Sequence, residues 1–239
     1  MLIKPHIIDV KVLTLLDAIK DETSYPIQYE CENVYVPGVK WNKQVKQWYI
    51  AIPHDVPIEK FTRELWAHEL MHIKLRLEGW PWYQSTGLRQ PQTAVNSLLS
   101  SMEHIEIGPR LRKLGLVNPQ KNLEEFQEVI ERFPDGFLSL PQVQHVLVNC
   151  GPELSLTLFL FSWLVEQFPD SHTPSYEKDL ILCRIRQVPY MVEAFEKTCQ
   201  ILALFGEPLT ISKDEFHSKA LDVLGIIEFH PECLQLAHE

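Results

Sequence analysis

Apolar and polar residues follow two different patterns along the first fifty residues of the chain. In residues 7–20 the apolar positions are three or four apart, which is typical of a helix with one buried face. From Tyr25 to Pro53 the pattern becomes strand-like, because β-branched and aromatic residues are separated by turn residues at Pro37-Gly38. We therefore predict an N-terminal helix followed by a small antiparallel sheet of two to four strands.

The main helical pattern runs from about Pro57 to Glu78. Asp55 is the predicted N-cap of this helix, and Gly79 the residue that ends it. The last predicted strand ends at Pro53, directly before the helix, so we expect that strand to lie beside the helix at the edge of the sheet. An exposed edge strand can bind an extended peptide through main-chain hydrogen bonds.

Helical spacing dominates the rest of the chain. A second helix is predicted from about Pro91 to Leu114, with Gly115 as its natural end. Six more helices are predicted at about 121–133, 141–149, 153–168, 175–187, 189–205 and 213–228.

These elements together predict an α+β fold that is mostly helical. In this fold the small antiparallel sheet packs on the helix of residues 57–78, and a helical C-terminal part follows. We expect residues 1–115 to form the core and residues 116–239 to form an all-helical part that packs on the core as one unit.

One motif in the predicted main helix carries specific chemistry. It reads His68-Glu69-Leu70-Met71-His72, which places two histidines four residues apart on one face of a helix. Two neutral imidazoles can bind one zinc ion, and a carboxylate beside them can take a proton from a water molecule at that ion. The motif therefore predicts His68 and His72 as zinc ligands and Glu69 as the catalytic base.

A catalytic zinc site needs three protein ligands, so the third must come from elsewhere in the chain. The second predicted helix offers Glu103 and His104. Glu103 is preferred, because it flanks the apolar face of its helix and a half-buried carboxylate needs a partner such as a metal ion. His104 is the alternative third ligand. If Glu103 binds the metal, His104, Tyr83 or Tyr49 could instead stabilise the oxyanion of the substrate.

Composition narrows the compartment and the partners. The chain has 239 residues, of which 45% are hydrophobic, and its formal net charge is −10. An acidic chain without a Lys/Arg-rich block is a poor candidate for binding nucleic acid or an anionic membrane. No secretory signal pattern begins the sequence, and we expect a cytoplasmic protein. The five cysteines are widely spaced, which predicts reduced thiols and neither a zinc ribbon nor a disulfide framework; they are Cys31, Cys150, Cys183, Cys199 and Cys233.

The order of these elements resembles the zincin metallopeptidases, and most closely the ImmA/IrrE type. The resemblance covers roughly residues 7–115, and its specific motif is His68-Glu69-x-x-His72. By this resemblance His68, His72 and Glu103 would bind zinc, as in gluzincins, and Glu69 would be the catalytic base.

Two functions from different classes follow as expectations. The first is a zinc-dependent intracellular metallopeptidase with a regulatory role, whose substrate is a protein or peptide. The second is a non-catalytic protein-binding module that retains a zincin fold, with Trp80–Tyr83 and the helical C-terminal half as its binding surface.

Overall fold

A computed structural model describes residues 9–34, 37–80, 83–85, 103, 104, 106–117 and 234–236, together with the single residues 135, 183, 192, 196 and 200. Its helices and strands are, in chain order, α1 (Val10–Glu22), β1 (Ile27–Glu32), β2 (Gly38–Asn42), β3 (Gln47–Pro53), α2 (Arg63–Leu77), β4 (Tyr83–Ser85), α3 (residues 103, 104 and 106–113) and β5 (Leu234–Leu236).

α1 forms where the spacing of apolar residues predicts it. Asp9 caps its first turn, since Oδ1 of Asp9 accepts hydrogen bonds from the backbone N–H groups of Lys11 and Val12 at 2.9 and 3.3 Å. Four apolar side chains on one face are buried, namely Val12, Leu15, Leu16 and Ile19. This buried face agrees with the predicted amphipathic helix. α1 begins at Val10, three residues after the predicted start at residue 7.

The three-stranded sheet is mixed, so the prediction of an antiparallel sheet is wrong for one of its two pairings. The strand order is β1-β3-β2. β2 pairs antiparallel with β3, whereas β1 pairs parallel with β3, with Ile27 opposite Trp48. β3 therefore lies in the middle of the sheet, and the expectation that it is an edge strand is also wrong. Buried residues on both faces of β3 explain its central place, because an edge strand is usually half exposed.

α2 is shorter than predicted at its N-terminal end. It begins at Arg63, and Oγ1 of Thr62 accepts the cap hydrogen bond from the backbone N–H of Leu65 at 3.4 Å. Ile58–Lys60 forms a separate 3-10 turn, and Phe61 is extended. Asp55 lies in the turn before these residues and is not the N-cap. The physical reason is that Phe61 is buried in an extended conformation, which interrupts the helix before Thr62.

α2 and α3 end in the same way. In α2, Gly79 adopts a φ of 84°, its N–H donates to the carbonyl of Arg76, and the N–H of Trp80 donates to the carbonyl of Leu75, each at 3.0 Å. This is a Schellman motif, in which a left-handed glycine lets two backbone N–H groups bond to carbonyls of the last turn. The predicted helix end at Gly79 is thus confirmed.

α3 ends with the corresponding pair of bonds. Gly115 has a φ of 64° and donates to the carbonyl of Arg112 at 2.8 Å, and the N–H of Leu116 donates to the carbonyl of Leu111 at 2.9 Å. Both leucines are buried. Backbone hydrogen bonds and apolar packing therefore fix the end of α3, and the predicted helix end at Gly115 is confirmed.

The chain divides into two compact units, and the division runs through α3. The first unit contains Met1–Trp80 and Pro109–Asn118, and the second contains Pro81–Gly108 and Pro119–Glu239. The division that the sequence predicts, with a core of residues 1–115 and a C-terminal part of residues 116–239, stays a prediction. In the first unit, α2 packs against α1 and β2.

In the second unit, β4 and β5 pair antiparallel, with Tyr83 opposite Leu236. β5 is a strand where the sequence predicts an all-helical part. The six helices predicted after residue 116 lie outside the described residues, apart from single positions. Among the described helices, none is long and apolar enough to cross a membrane.

Candidate metal centre

α2 brings His68 and His72 together, as their spacing predicts. The two residues lie one helical turn apart, and their Nε2 atoms are 3.1 Å from each other. The ring centroids are 4.8 Å apart, and the ring planes meet at 72°. His72 is buried and His68 is partly exposed, so the pair lies where the helix passes from the core towards solvent.

The surroundings of α2 keep this pair in place. Trp66 lies half a turn before His68 and is buried. Its ring centroid is 4.5 Å from that of Phe61 and 6.0 Å from that of Tyr29. Aromatic rings in contact prefer such edge-to-face arrangements, which adds a preferred orientation to the burial of Trp66. Leu70 and Ile73 are fully buried in the same helix. The rotation of α2, and with it the direction of both imidazoles, is therefore fixed by the core.

His104 of α3 joins the two histidines of α2. His68, His72 and His104 each offer a ring nitrogen, and these three nitrogens all lie within 4.8 Å of one another. The cluster thus contains the alternative third ligand from the sequence. Glu103, the preferred third ligand, is not a member of this cluster, although it is only 1% exposed.

The donor set of the cluster fits zinc. Three imidazoles are a common ligand set for a catalytic zinc ion, which keeps its fourth position for water. Zinc–nitrogen distances of about 2.0–2.1 Å give nitrogen–nitrogen separations of about 3.4 Å in a tetrahedron. The 3.1 Å between His68 and His72 is close to that value. The upper limit of 4.8 Å for the whole cluster exceeds that value by about 1.4 Å.

Glu69 is buried beside the cluster, with only 4% of its surface exposed. It follows His68 in α2, so its side chain leaves the helix about 60° from the direction of His72. Burying a carboxylate in a helix core is costly unless charged or hydrogen-bonding groups surround it. A carboxylate buried here therefore needs such groups around it, and the role of Glu69 as the catalytic base stays a prediction.

The sequence did not predict a charged network at the C-terminal end of α2. Nη1 of Arg110 in α3 lies 2.9 and 2.7 Å from the two carboxylate oxygens of Glu78. Nζ of Lys74 lies 3.3 Å from Glu78 and also pairs with Glu22 of α1. Lys74 and Glu78 are four residues apart, a spacing that could have indicated their pair. Nothing in the sequence indicates the pairing of Glu78 with Arg110, because it joins residues 32 positions apart.

This network shifts the pKa values of Glu78 and Lys74. Burial tends to raise the pKa of Glu78, but hydrogen bonds from Arg110 and Lys74 and their positive charges outweigh it and hold that pKa below 4.5. The hydrogen bond to Glu22, together with that to Glu78, raises the pKa of Lys74. The contacts thus stabilise the ionised forms of Glu78 and Lys74.

The remaining candidates from the sequence do not join the cluster in the described part of the chain. Tyr49 is half-buried in β3, opposite Lys40 of β2. Tyr83 begins β4, and only its backbone is described. Trp80 is buried and closes the Schellman motif of α2, so it serves the core. His54 is exposed in the turn after β3.

A scan against protein-family models, a search of curated proteins and a search of solved structures each give no match to this chain.

Proposed function

We propose that this protein is a zinc-dependent metallopeptidase in which His68, His72 and His104 hold the metal and Glu69 is the catalytic base. The observation that carries the proposal is the cluster of three imidazole nitrogens within 4.8 Å of one another, on the helix that carries the His-Glu-x-x-His motif. The buried carboxylate of Glu69 next to this cluster supports the same chemistry.

The mechanism assigns each residue a separate task. When bound, zinc supplies Lewis acidity, which lowers the pKa of water to about 7. Glu69 accepts a proton from the attacking water while the oxygen of that water forms a bond to the carbonyl carbon of the peptide. Glu69 then gives this proton to the amide nitrogen as the carbon–nitrogen bond breaks. The products are a carboxylic acid and an amine, and the water is consumed.

A peptide in an extended conformation is the substrate class that suits the sheet. β2 is at one edge of the three-stranded sheet among the described strands, and it packs against α2. A strand in this place can hold an extended peptide by main-chain hydrogen bonds across the helix that bears the histidines. We therefore assign peptide binding to β2. The sequence predicted this role for the strand that ends at Pro53, which is β3.

The Glu69→Gln variant tests the proposal. Gln keeps the shape of the side chain but cannot accept the proton, so we expect an unchanged zinc content and a fall in peptide hydrolysis of at least about 10²-fold. Zinc is measured by elemental analysis and hydrolysis with a fluorogenic peptide library. Equal hydrolysis by wild type and variant would contradict the proposed mechanism.

His54→Ala is the matched control for substitutions of the clustered histidines, because His54 is exposed and lies outside the cluster. We expect His54→Ala to keep one zinc ion per chain and His72→Ala to lose it. One zinc per chain without hydrolysis of any library peptide would favour the alternative, a protein-binding module that retains the metal site.

A further inference from the structure

His104 and Glu103 are neighbours in α3, so the rotation of α3 decides which of them reaches the histidine pair. Adjacent residues of a helix point about 100° apart. Both side chains are buried, with 8% of His104 and 1% of Glu103 exposed. A turn of α3 by one residue would therefore present a carboxylate where the structure has an imidazole. The ligand set depends on something that fixes this rotation.

Apolar packing alone fixes the rotation of α3 only loosely. Ile107 and Leu111 are buried on the side of the helix that also carries His104. Burial of this kind is non-directional, so it tolerates small rotations. The helix is also weakened in its middle, because Pro109 has no backbone N–H to donate to the preceding turn. A directional contact near Pro109 would remove this freedom.

Arg110 provides such a contact one residue after Pro109. Its Nη1 lies within 2.9 Å of both carboxylate oxygens of Glu78, the residue that caps the end of α2. A charge-assisted contact to both oxygens constrains direction as well as distance. Arg110 lies six residues after His104, about 9 Å along the helix axis. Glu78 likewise lies six residues after His72 in α2.

We propose that Arg110 and Glu78 are positioning residues that fix the rotation of α3, so that His104 and not Glu103 completes the metal site. This proposal rests on the metal site of the proposed function. Each member of the pair lies six residues beyond a histidine of the cluster in its own helix. It acts through the helix, and the network of Lys74 and Glu22 keeps Glu78 in its ionised, hydrogen-bonded form.

The test compares the zinc affinity of full-length variants by competition with a chromogenic chelator. We expect Arg110→Met to raise the Kd for zinc by about 10- to 100-fold, the range known for the loss of groups that orient metal ligands. Arg110→Lys should recover part of the affinity, since it restores the charge but not the planar guanidinium. Lys40→Met is the control, because it removes the ion pair of Lys40 with Glu32 and leaves Glu78 and its partners intact. It should leave the Kd within about twofold of wild type.

A second substitution separates rotation of the helix from simple loss of stability. In the wild-type background Glu103→Gln should leave the Kd unchanged. In the Arg110→Met background, where α3 can turn, Glu103→Gln should raise the Kd again, and the visible spectrum of the cobalt-substituted protein should change. A general loss of stability would not make Glu103 contribute to metal binding.

Three outcomes separate the two proposals. If wild type binds no zinc, the metal site and this positioning role both fail. If wild type binds zinc but Arg110→Met has the same Kd, the positioning role alone is wrong. The positioning role is also wrong if Lys40→Met weakens zinc binding as much as Arg110→Met does at an equal loss of Tm.

Discussion

Arg110 and Glu78 join α3 to the end of α2 through a single guanidinium nitrogen, which lies 2.9 and 2.7 Å from the two carboxylate oxygens. Because the folded protein holds the pKa of Glu78 below 4.5, folding favours its ionised form. The stabilisation is present above pH 4.5 and is lost as the pH falls through the lowered pKa of the folded state. Both side chains are partly exposed, so solvent screening limits the effect to about 1 kcal/mol.

We therefore expect the free energy of unfolding of the metal-free protein to fall more steeply below pH 4.5 in wild type than in Glu78→Gln. Urea unfolding at a series of pH values measures the difference. Gln keeps the size of the side chain but cannot ionise, so the two proteins differ in the charge at position 78 and not in its packing. Parallel pH profiles for the two proteins would contradict this account of Glu78.

Gly79 offers a clean test of backbone conformation at the end of α2. Its φ of 84° is unfavourable for residues with a Cβ atom, and an added Cβ would meet nothing within 4 Å. We expect Gly79→Ala to lower the free energy of unfolding by about 1–2 kcal/mol, purely from conformational strain. Gly79→Asn should cost less, because asparagine tolerates this region better. An equal loss in both variants, measured by urea unfolding, would argue against strain as the cause.

The third ligand can be identified with a pair of neighbouring variants. His104→Ala should weaken zinc binding by more than about 100-fold, since it removes a ligand and not merely a group that orients one. Glu103→Gln, one residue away and equally buried, should leave the Kd for zinc almost unchanged. The reverse result, with Glu103 essential and His104 dispensable, would restore the preference drawn from the sequence.

Asp9 caps α1, and its Oδ2 also accepts a hydrogen bond from Nη1 of Arg63, at the start of α2, at 3.4 Å. We expect Asp9→Ala to cost about 1 kcal/mol, the usual loss when a helix cap is removed. Asp9→Asn keeps the oxygen that accepts from Lys11 and should cost much less. If both variants lose the same stability in thermal or urea unfolding, the charge pair with Arg63 matters more than the cap.

The parts of the fold that depend on local spacing were predictable from the sequence. The buried face of α1, the glycine that ends α2 and the pairing of His68 with His72 each follow from residues within one or two helical turns. The start of α2 was misplaced because Asp55 is also a good cap residue. Thr62 carries the same kind of signal, and only the extended Phe61 between them decides the matter.

Contacts between distant segments were not predictable in this way. Whether β1 joins β3 parallel or antiparallel depends on how the chain crosses the sheet, and alternation of residues along one strand does not encode it. The choice between Glu103 and His104 is similar, because it depends on a rotation of about 100° that only tertiary contacts fix. Arg110 and Glu78, 32 residues apart, are an example of such a contact.

The parallel pairing of β1 with β3 has a consequence for the order in which the chain assembles. β2 and β3 are joined by a short turn, whereas Ile27 must find Trp48, which lies 21 positions further along the chain. Closing the shorter loop is faster, so the β2–β3 hairpin is expected to form first and β1 to dock later. Tyr29 of β1 covers Trp66 of α2, and the core beside the histidines is complete only after that slower docking step. A newly made chain would thus fix the positions of His68 and His72 near the end of folding.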